Sequence, residues 1–289
     1  MVRRSANKRV TIVTVTFNSK DVVEDMLASV PDGVSVVIVD NASRDSDSLK
    51  EIAARHNAKL VLNATNEGFG RACNEGARLA QTEFVFFLNP DAILHPDTIE
   101  ALVTAMDRYP DAICLNPKIS RKNGKPFFKR KSYLLPRYEW MDRTWPRADR
   151  DVSTLSGAAM FMRKTDFDMV GGFDEKIFLY FEDDDLAFRL RKCGRLMFAH
   201  EARMVHAGGA SSGSSPEVEA LKAWHMAFSR VYTTHKHAVF LGRSRAFLAI
   251  IRGFLRPRVL LSPSKRAAQF AALAGARAAL RGYESERRL

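Results

Sequence analysis

The chain has only three cysteines, Cys73, Cys114 and Cys193, far apart and without a CxxC pair. That scarcity argues against a disulfide framework or a zinc ribbon and fits a reducing compartment. No apolar run approaches the roughly 18 residues a spanning helix needs. Residues 1–9 are polar and basic, and the apolar run that follows, VTIVTVTF, is too short and too β-branched for a signal core. A cytoplasmic location is the expectation. There is no phosphate P-loop, and the first strand-like run leads into Thr16-Phe17-Asn18-Ser19 rather than a GxGxxG turn. Internal repeats are missing too. Acidic residues nearly vanish late in the chain. From 236 to 289, twelve Lys or Arg stand against Glu284 and Glu286, so this stretch holds +10 of the net charge of +12. A basic tail on a nearly neutral body points to an acidic partner, either nucleic acid or an anionic membrane surface.

What is present is a regular alternation of elements. Residues 10–17, 34–39, 59–62 and 84–88 read as strands, the second and fourth as apolar runs buried on both faces. Residues 22–29, 47–56, 70–80 and 96–109 have helical spacing, the last with Pro96 in its first turn. This order predicts an α/β fold with a mainly parallel sheet and helices on both faces. Ligands are then expected beyond the C-terminal strand ends, just after Phe17, Val39 and Leu88. Residues 118–151 mix Lys and Arg with Phe127, Phe128, Tyr133, Tyr138, Trp140 and Trp145 without clear periodicity, and read as a long loop. Order resumes at 154–163, followed by a helix from Thr165, a helix over 181–193 and a short strand over 196–199. The small residues of 207–216 predict a flexible end to a core domain spanning 1–212. Residues 213–289 are expected to be a basic helical region broken near Pro257 and Pro263.

Four constellations carry chemistry. Asn89-Pro90-Asp91 follows the apolar run FVFFL, so Asp91 emerges at a strand end. A carboxylate there, with an amide two positions earlier, suits Mg2+ or Mn2+ when a diphosphate supplies further oxygens; the same residues also form plain turns. Glu182-Asp183-Asp184-Asp185 follows apolar Phe178-Leu179-Tyr180-Phe181. Four adjacent carboxylates need solvent or a cation. They read either as a solvated helix start or as the source of a general base for a hydroxyl. His206 precedes Gly208 and Gly209, and is either structural or the last ligand of a Mn2+ site. Asp40 ends a buried strand, where it suits either a nucleobase N–H or a helix cap. The Gly-containing turn from Asn66 to Asn74 enters a helix, and its amides and Arg71 suit a diphosphate.

Taken in order, TVTFN, VIVDNAS, NEGFGRACNEG, FLNPD, LSGAAMFMRK, GGFDEKIFLYFEDDDLAFRLRKCG and HAGGASS resemble the family 2 glycosyltransferases of GT-A fold, particularly a bacterial rhamnosyltransferase-like branch. They span residues 10–212. The resemblance implies inverting transfer of a sugar from a nucleotide donor to an acceptor hydroxyl, with dTDP-rhamnose the favoured donor over UDP- or GDP-linked sugars. It places Asp183 as catalytic base, Glu182 as acceptor-positioning and Asp185 as alternative base. It places Asp91 and Asn89 at the metal and His206 at the metal or the diphosphate, Asn89 standing where the family's DxD motif has a carboxylate. It places Thr16, Asn18, Asp40 and Asn41 at the nucleoside, and Asn66, Gly68, Arg71 and Asn74 near the diphosphate and sugar. No QxxRW motif of the processive synthases is present, which favours transfer of one sugar or a short chain.

The resemblance also implies a glycan or polyprenyl-diphosphate-linked acceptor in cell-surface polysaccharide synthesis. The segment HAVFLGRSRAFLAIIRGFLRPRVLL, with Arg set among Phe, Leu and Ile, then suits an interfacial helix on the inner face of the plasma membrane, or simply a helix packed on the core. Residues 267–280 are Ala-rich and suit packing or contact with a second copy as a homo-oligomer. Nucleic acid is not the expected partner, since no recognised motif accompanies the basic composition. A sugar-nucleotide nucleotidyltransferase would need a Gly-rich, basic phosphate loop near the first strand, and TFNSKD is a poor match.

Overall fold

A computed structural model of the chain describes residues 5–142, 144–206 and 215–282. The first half alternates strictly: β1 (Val10–Thr16), α1 (Lys20–Ala28), β2 (Ser35–Asp40), α2 (Ser46–Arg55), β3 (Lys59–Leu62), α3 (Phe69–Arg78) and β4 (Phe84–Leu88). β5 (Ala92–Leu94), α4 (Thr98–Arg108) and β6 (Ala112–Arg121) follow, then an irregular stretch to β7 (Arg150–Asp151) and β8 (Ala159–Arg163). α5 (Lys164–Met169), α6 (Glu182–Leu190) and β9 (Arg195–His206) complete the sheet. α7 (Pro216–Lys236), α8 (Gly242–Phe254), α9 (Pro257–Leu261) and α10 (Pro263–Leu280) end the described chain.

The strands form one sheet in the order β3-β2-β1-β4-β8-β6-β9-β5, with β7 added on β9. β1, β2, β3 and β4 run parallel, while β8 is antiparallel to both β4 and β6. Successive residues of a strand face opposite sides, and here both sides are apolar. Ile12, Ile38, Phe86 and Phe161 face α1, α2 and α4, while Val13, Val39, Phe87 and Met162 face α3, α5 and α6. Burial on both faces explains why these strands read as continuous apolar runs rather than alternating ones. Gly76 lets α3 lie against β1, since a Cβ there would stand 2.4 Å from Val13 Cγ1.

One strand was not expected, and another is longer than expected. β6 starts before the predicted loop and runs into it as far as Arg121, and β9 spans twelve residues instead of the four at 196–199. One irregularity hid both. Pro117 pairs with Ala199 but Lys118 pairs with Arg203, so residues 200–202 bulge from β9 beside a proline in β6. Turn-forming Asn116-Pro117 and polar His200, Glu201 and Arg203 look like strand breakers, yet a bulge is where a sheet tolerates proline. The described residues from 122 to 149 are largely irregular, as expected, with a 3-10 turn at Arg137–Glu139.

The expected boundary after residue 212, with most of the small-residue stretch around it, lies outside the described residues. α7, α8 and α10 share a core of Ala227, Val231, Ala246 and Ala276. α7 also reaches the first part of the chain: Ser229 Oγ donates to the Leu179 carbonyl at 3.0 Å, and Tyr232 donates to Asp174 at 2.8 Å. Among the described residues no helix is long and apolar enough to cross a membrane.

Candidate active site

A cleft of about 600 Å³ opens beyond the C-terminal ends of β1, β2 and β4, the place where open parallel sheets bind ligands. Its floor at one end is built from strand ends. Thr16 Oγ1 donates to Asp40 Oδ1 at 2.8 Å, and Asp40 Oδ2 accepts from Ser43 N at 2.8 Å. Asn18, with φ of 54°, accepts from Arg44 N at 3.0 Å and gives its own N–H to Ser43 Oγ. Thr16, Asn18 and Asp40 thus fix the turn behind the cleft wall, while Phe17, Ser19, Asn41, Asn66 and Gly68 line it. Asn41 Nδ2 holds the Gly68 carbonyl at 3.1 Å, and Asn66 Oδ1 accepts from Gly68 N at 3.0 Å. Gly68 has φ of +88°, and a Cβ there would lie 2.5 Å from the Phe178 carbonyl, so this close approach requires glycine.

Two residues expected near the donor are committed elsewhere. Asn74 donates to the Phe173 carbonyl at 2.9 Å and accepts from Phe173 N at 2.8 Å, pinning the Gly171-Gly172 turn. Arg71 donates to the Glu175 carbonyl at 3.0 Å and meets Glu67 at 3.4 Å. Neither lines the cleft.

The Asn89-Pro90-Asp91 turn and His206 meet because Ala92 of β5 pairs with His206 of β9. His206 Nε2 lies 3.1 Å from Asp91 Oδ1 and 3.2 Å from Asn89 Nδ2. Asp91 and His206 are both buried, and His206 Nδ1 has no hydrogen-bond partner among the described residues. The imidazole lies tilted against the Phe127 ring, centroids 4.7 Å apart. Rotating the Asn89 amide puts Oδ1 in place of Nδ2, so one nitrogen and two oxygens converge. Among the described residues no cluster of three His, Cys, Asp or Glu forms a closed metal cage. The donors present fit Mg2+ or Mn2+ completed by phosphate oxygens, rather than a structural ion.

The acidic run is delivered by an unusual turn. Tyr180 and Phe181 both have φ of 66° immediately before α6. Left-handed backbone at bulky residues costs about 1 kcal/mol or more each. Burial of Phe181 and the 2.8 Å bond from Asp185 N to its carbonyl hold it. The turn directs Glu182, Asp183 and Asp184 into the cleft. Asp183 Oδ2 accepts from Lys129 Nζ at 2.7 Å and Gly157 N at 2.9 Å, and Oδ1 from Asp184 N at 2.8 Å. A Cβ on Gly157 would lie 2.8 Å from that of Asp183, so only glycine fits. Asn116 fixes the neighbouring loop by accepting from Ser156 N at 2.6 Å and donating to the Ser156 carbonyl at 3.1 Å.

Lys129 Nζ also lies 3.0 Å from Asp184 Oδ2. Burial works against its charge, but the Asp183 and Asp184 carboxylates outweigh that and raise its pKa. Burial, then the charge of Asp183, pushes Glu182 up to about 8, and Glu182 Oε2 is buried without a hydrogen-bond partner among the described residues. Burial likewise raises Asp184, although Lys129 opposes it.

Asp185 departs from its neighbours. It is fully buried and points toward the end of α7, pairing with Arg189 at 2.8 Å and with Lys236 and His237 at 2.7 Å. Burial alone would raise its pKa, yet His237, Arg189 and Lys236 hold it at about 2. It docks α7 and does not line the cleft, which removes the geometric basis for an alternative base.

Because Glu182 binds a proton in the fold between about pH 4.5 and 8 that the unfolded chain has released, it costs stability increasingly over that range. Glu182→Gln is expected to match the wild-type melting temperature near pH 5 and exceed it by roughly 2–4 °C at pH 9. Thermal melts at the two pH values check this; a difference independent of pH contradicts it.

The basic-aromatic segment supplies more than the sequence indicated. Lys129, Lys131 and Tyr133 line the cleft, with Lys222 and Met226 of α7 opposite. Arg230 of α7 stacks 4.0 Å from the Tyr133 ring, and His225 stacks 4.6 Å from Phe178.

The chain belongs to glycosyltransferase family 2, whose model matches residues 11–171. It is similar to an N-acetylglucosaminyl-diphospho-decaprenol L-rhamnosyltransferase of Mycobacterium tuberculosis, 31% identical over 240 residues, covering 71% of this chain and 78% of that one. It is also similar to the rhamnosyltransferase WbbL of Escherichia coli, 26% identical over 219 residues, covering 68% and 82% of the two chains. A mannosyltransferase from Pyrobaculum calidifontis, solved with GDP-Man and Mn2+, superposes with a TM-score of 0.57 at 18% identity, covering 96% of this chain and 88% of that one. The fold is GT-A, and the protein is a glycosyltransferase of rhamnosyltransferase-like type.

Proposed function

We propose that the protein transfers L-rhamnose from dTDP-rhamnose, with inversion, to a sugar hydroxyl on a polyprenyl-diphosphate-linked acceptor. The observation that carries the reaction is Asp183, fixed by Gly157 and the start of α6, facing the same cleft as Asn89 and His206. The sugar and acceptor follow from the named activities of the relatives.

Asn41, Asn66 and the Gly68 turn hold the nucleotide end, backed by Thr16, Asn18 and Asp40. Asp91, His206 and the Asn89 amide would hold Mg2+ or Mn2+, which when bound neutralises charge on the departing nucleoside diphosphate. Asp183 takes the proton of the acceptor hydroxyl as that oxygen attacks the anomeric carbon from the face opposite the leaving group. The transition state is oxocarbenium-like. One displacement inverts the centre, so a single base suffices. Glu182, kept protonated near neutrality, positions the acceptor by donating a hydrogen bond.

Asp91→Ala is expected to weaken nucleotide binding in Mn2+ at least tenfold and to change it less than twofold in chelator. Calorimetric titration of dTDP in both conditions checks this, with UDP and GDP as comparisons. An unchanged Mn2+ response overturns the ligand assignment, and tighter UDP or GDP binding overturns the choice of donor.

A further inference from the structure

We propose that the outward face of α8 and α9 is a docking surface for an anionic lipid bilayer. α8 has already used one face for packing. Ala246, Phe247 and Ile250 join the core shared with α7 and α10, and Gly253 sits so close to Gln269 that a Cβ there would lie 2.3 Å from its side chain. The other face remains apolar. Leu248, Ile251 and Leu255, directly after the helix, are 46%, 54% and 74% exposed. Their spacing of three and four residues places them on one stripe. In the next helix, α9, Val259 is buried, while Leu260 and Leu261 are 58% and 83% exposed. A helix packed only on the protein's own core has polar residues in such places.

The charge around the stripe selects the occupant. Arg245, Arg252, Arg256 and Arg258 are exposed on the same elements, and no Asp or Glu occurs from 236 to 282. A second copy bound through the same patch would set these arginines against themselves, because a two-fold contact brings identical surfaces together. Lipid phosphates remove that conflict. Leucine and isoleucine enter the acyl boundary while the guanidinium groups stay at headgroup level. Both helices are short, and among the described residues no helix is long and apolar enough to cross a membrane. The inference does not depend on which sugar or acceptor the cleft takes.

The test is flotation of the full chain with vesicles of phosphatidylcholine alone or with phosphatidylglycerol added. The chain is expected to float with the anionic vesicles only, and less in high salt. The double variants Leu255→Ser with Leu261→Ser, and Arg252→Glu with Arg256→Glu, are each expected to lower that partition at least tenfold, with dTDP binding and melting temperature unchanged. These side chains are exposed, so the fold is not at stake. Three results overturn the proposal: equal binding to neutral and anionic vesicles, no binding to either, or variants that turn a dimer into a monomer while leaving lipid binding intact.

Discussion

Asp183→Asn is expected to lower the turnover of sugar transfer by about 10³-fold while changing donor affinity less than twofold. The substitution keeps shape and removes basicity. The amide oxygen can still accept from Gly157 N, as Asp183 Oδ2 does at 2.9 Å, so the loop behind the site stays in place. What is lost is the group that takes the hydroxyl proton in the transition state, and a term of that kind appears in kcat rather than in ground-state binding. Single-turnover transfer measured beside calorimetric donor binding separates the two. A variant with full turnover removes Asp183 as base, and one that also fails to bind donor shows that the residue matters to the cleft's shape instead.

Lys129→Met is expected to lower transfer at pH 7 by 10- to 100-fold and to move the acid limb of the pH–rate profile upward by at least one unit. Lys129 is the cation that Asp183 and Asp184 share, at 2.7 and 3.0 Å. Without it, adjacent carboxylates repel, and the cluster relieves itself by holding a proton. Removing one partner of a buried ion pair is costly for the same reason. The sign follows: a proton retained by the cluster depletes the base, and raising the pH restores it. Lys129→Arg keeps the charge and is expected to recover most of the activity at pH 7. If Lys129 only filled space, the loss would be the same at every pH.

The first half of the fold was legible because its physics is local. Val34 to Val39 reads as a buried strand from composition alone, and β2 occupies Ser35–Asp40. The parallel order follows from helices alternating with such strands. β6 was not read as a strand at all and β9 only over 196–199, because the bulge that admits Pro117 opposite Ala199 is a property of their pairing and not of either segment. The same division holds at the site. Residues at strand ends and helix starts, such as Asp91 and Asp183, announce themselves through an abrupt change from apolar to acidic. Lys129 does not. It lies in an irregular segment among many other cations, and only the folded chain brings it to the Asp183 carboxylate, 54 residues away. Asn74 and Asp185 are the opposite case: both stand in suggestive runs, and in the fold both side chains are engaged away from the cleft, with Phe173 and with α7. Gly157 carried a usable signal, since a glycine between Ser156 and a buried strand often marks close approach.

The most direct measurement of the central claim is the product released from a nucleotide sugar. The wild-type chain, Mn2+, dTDP-rhamnose and a polyprenyl-diphosphate-linked N-acetylglucosamine acceptor are combined, with UDP- and GDP-sugars in parallel. Nucleotide products are separated by chromatography, and the new anomeric centre is read by NMR. The account predicts nucleoside diphosphate in step with a glycoside of inverted configuration, with both lost together in Asp183→Asn. Pyrophosphate as product, a retained anomeric configuration, or undiminished glycoside from the Asp183→Asn chain would contradict it.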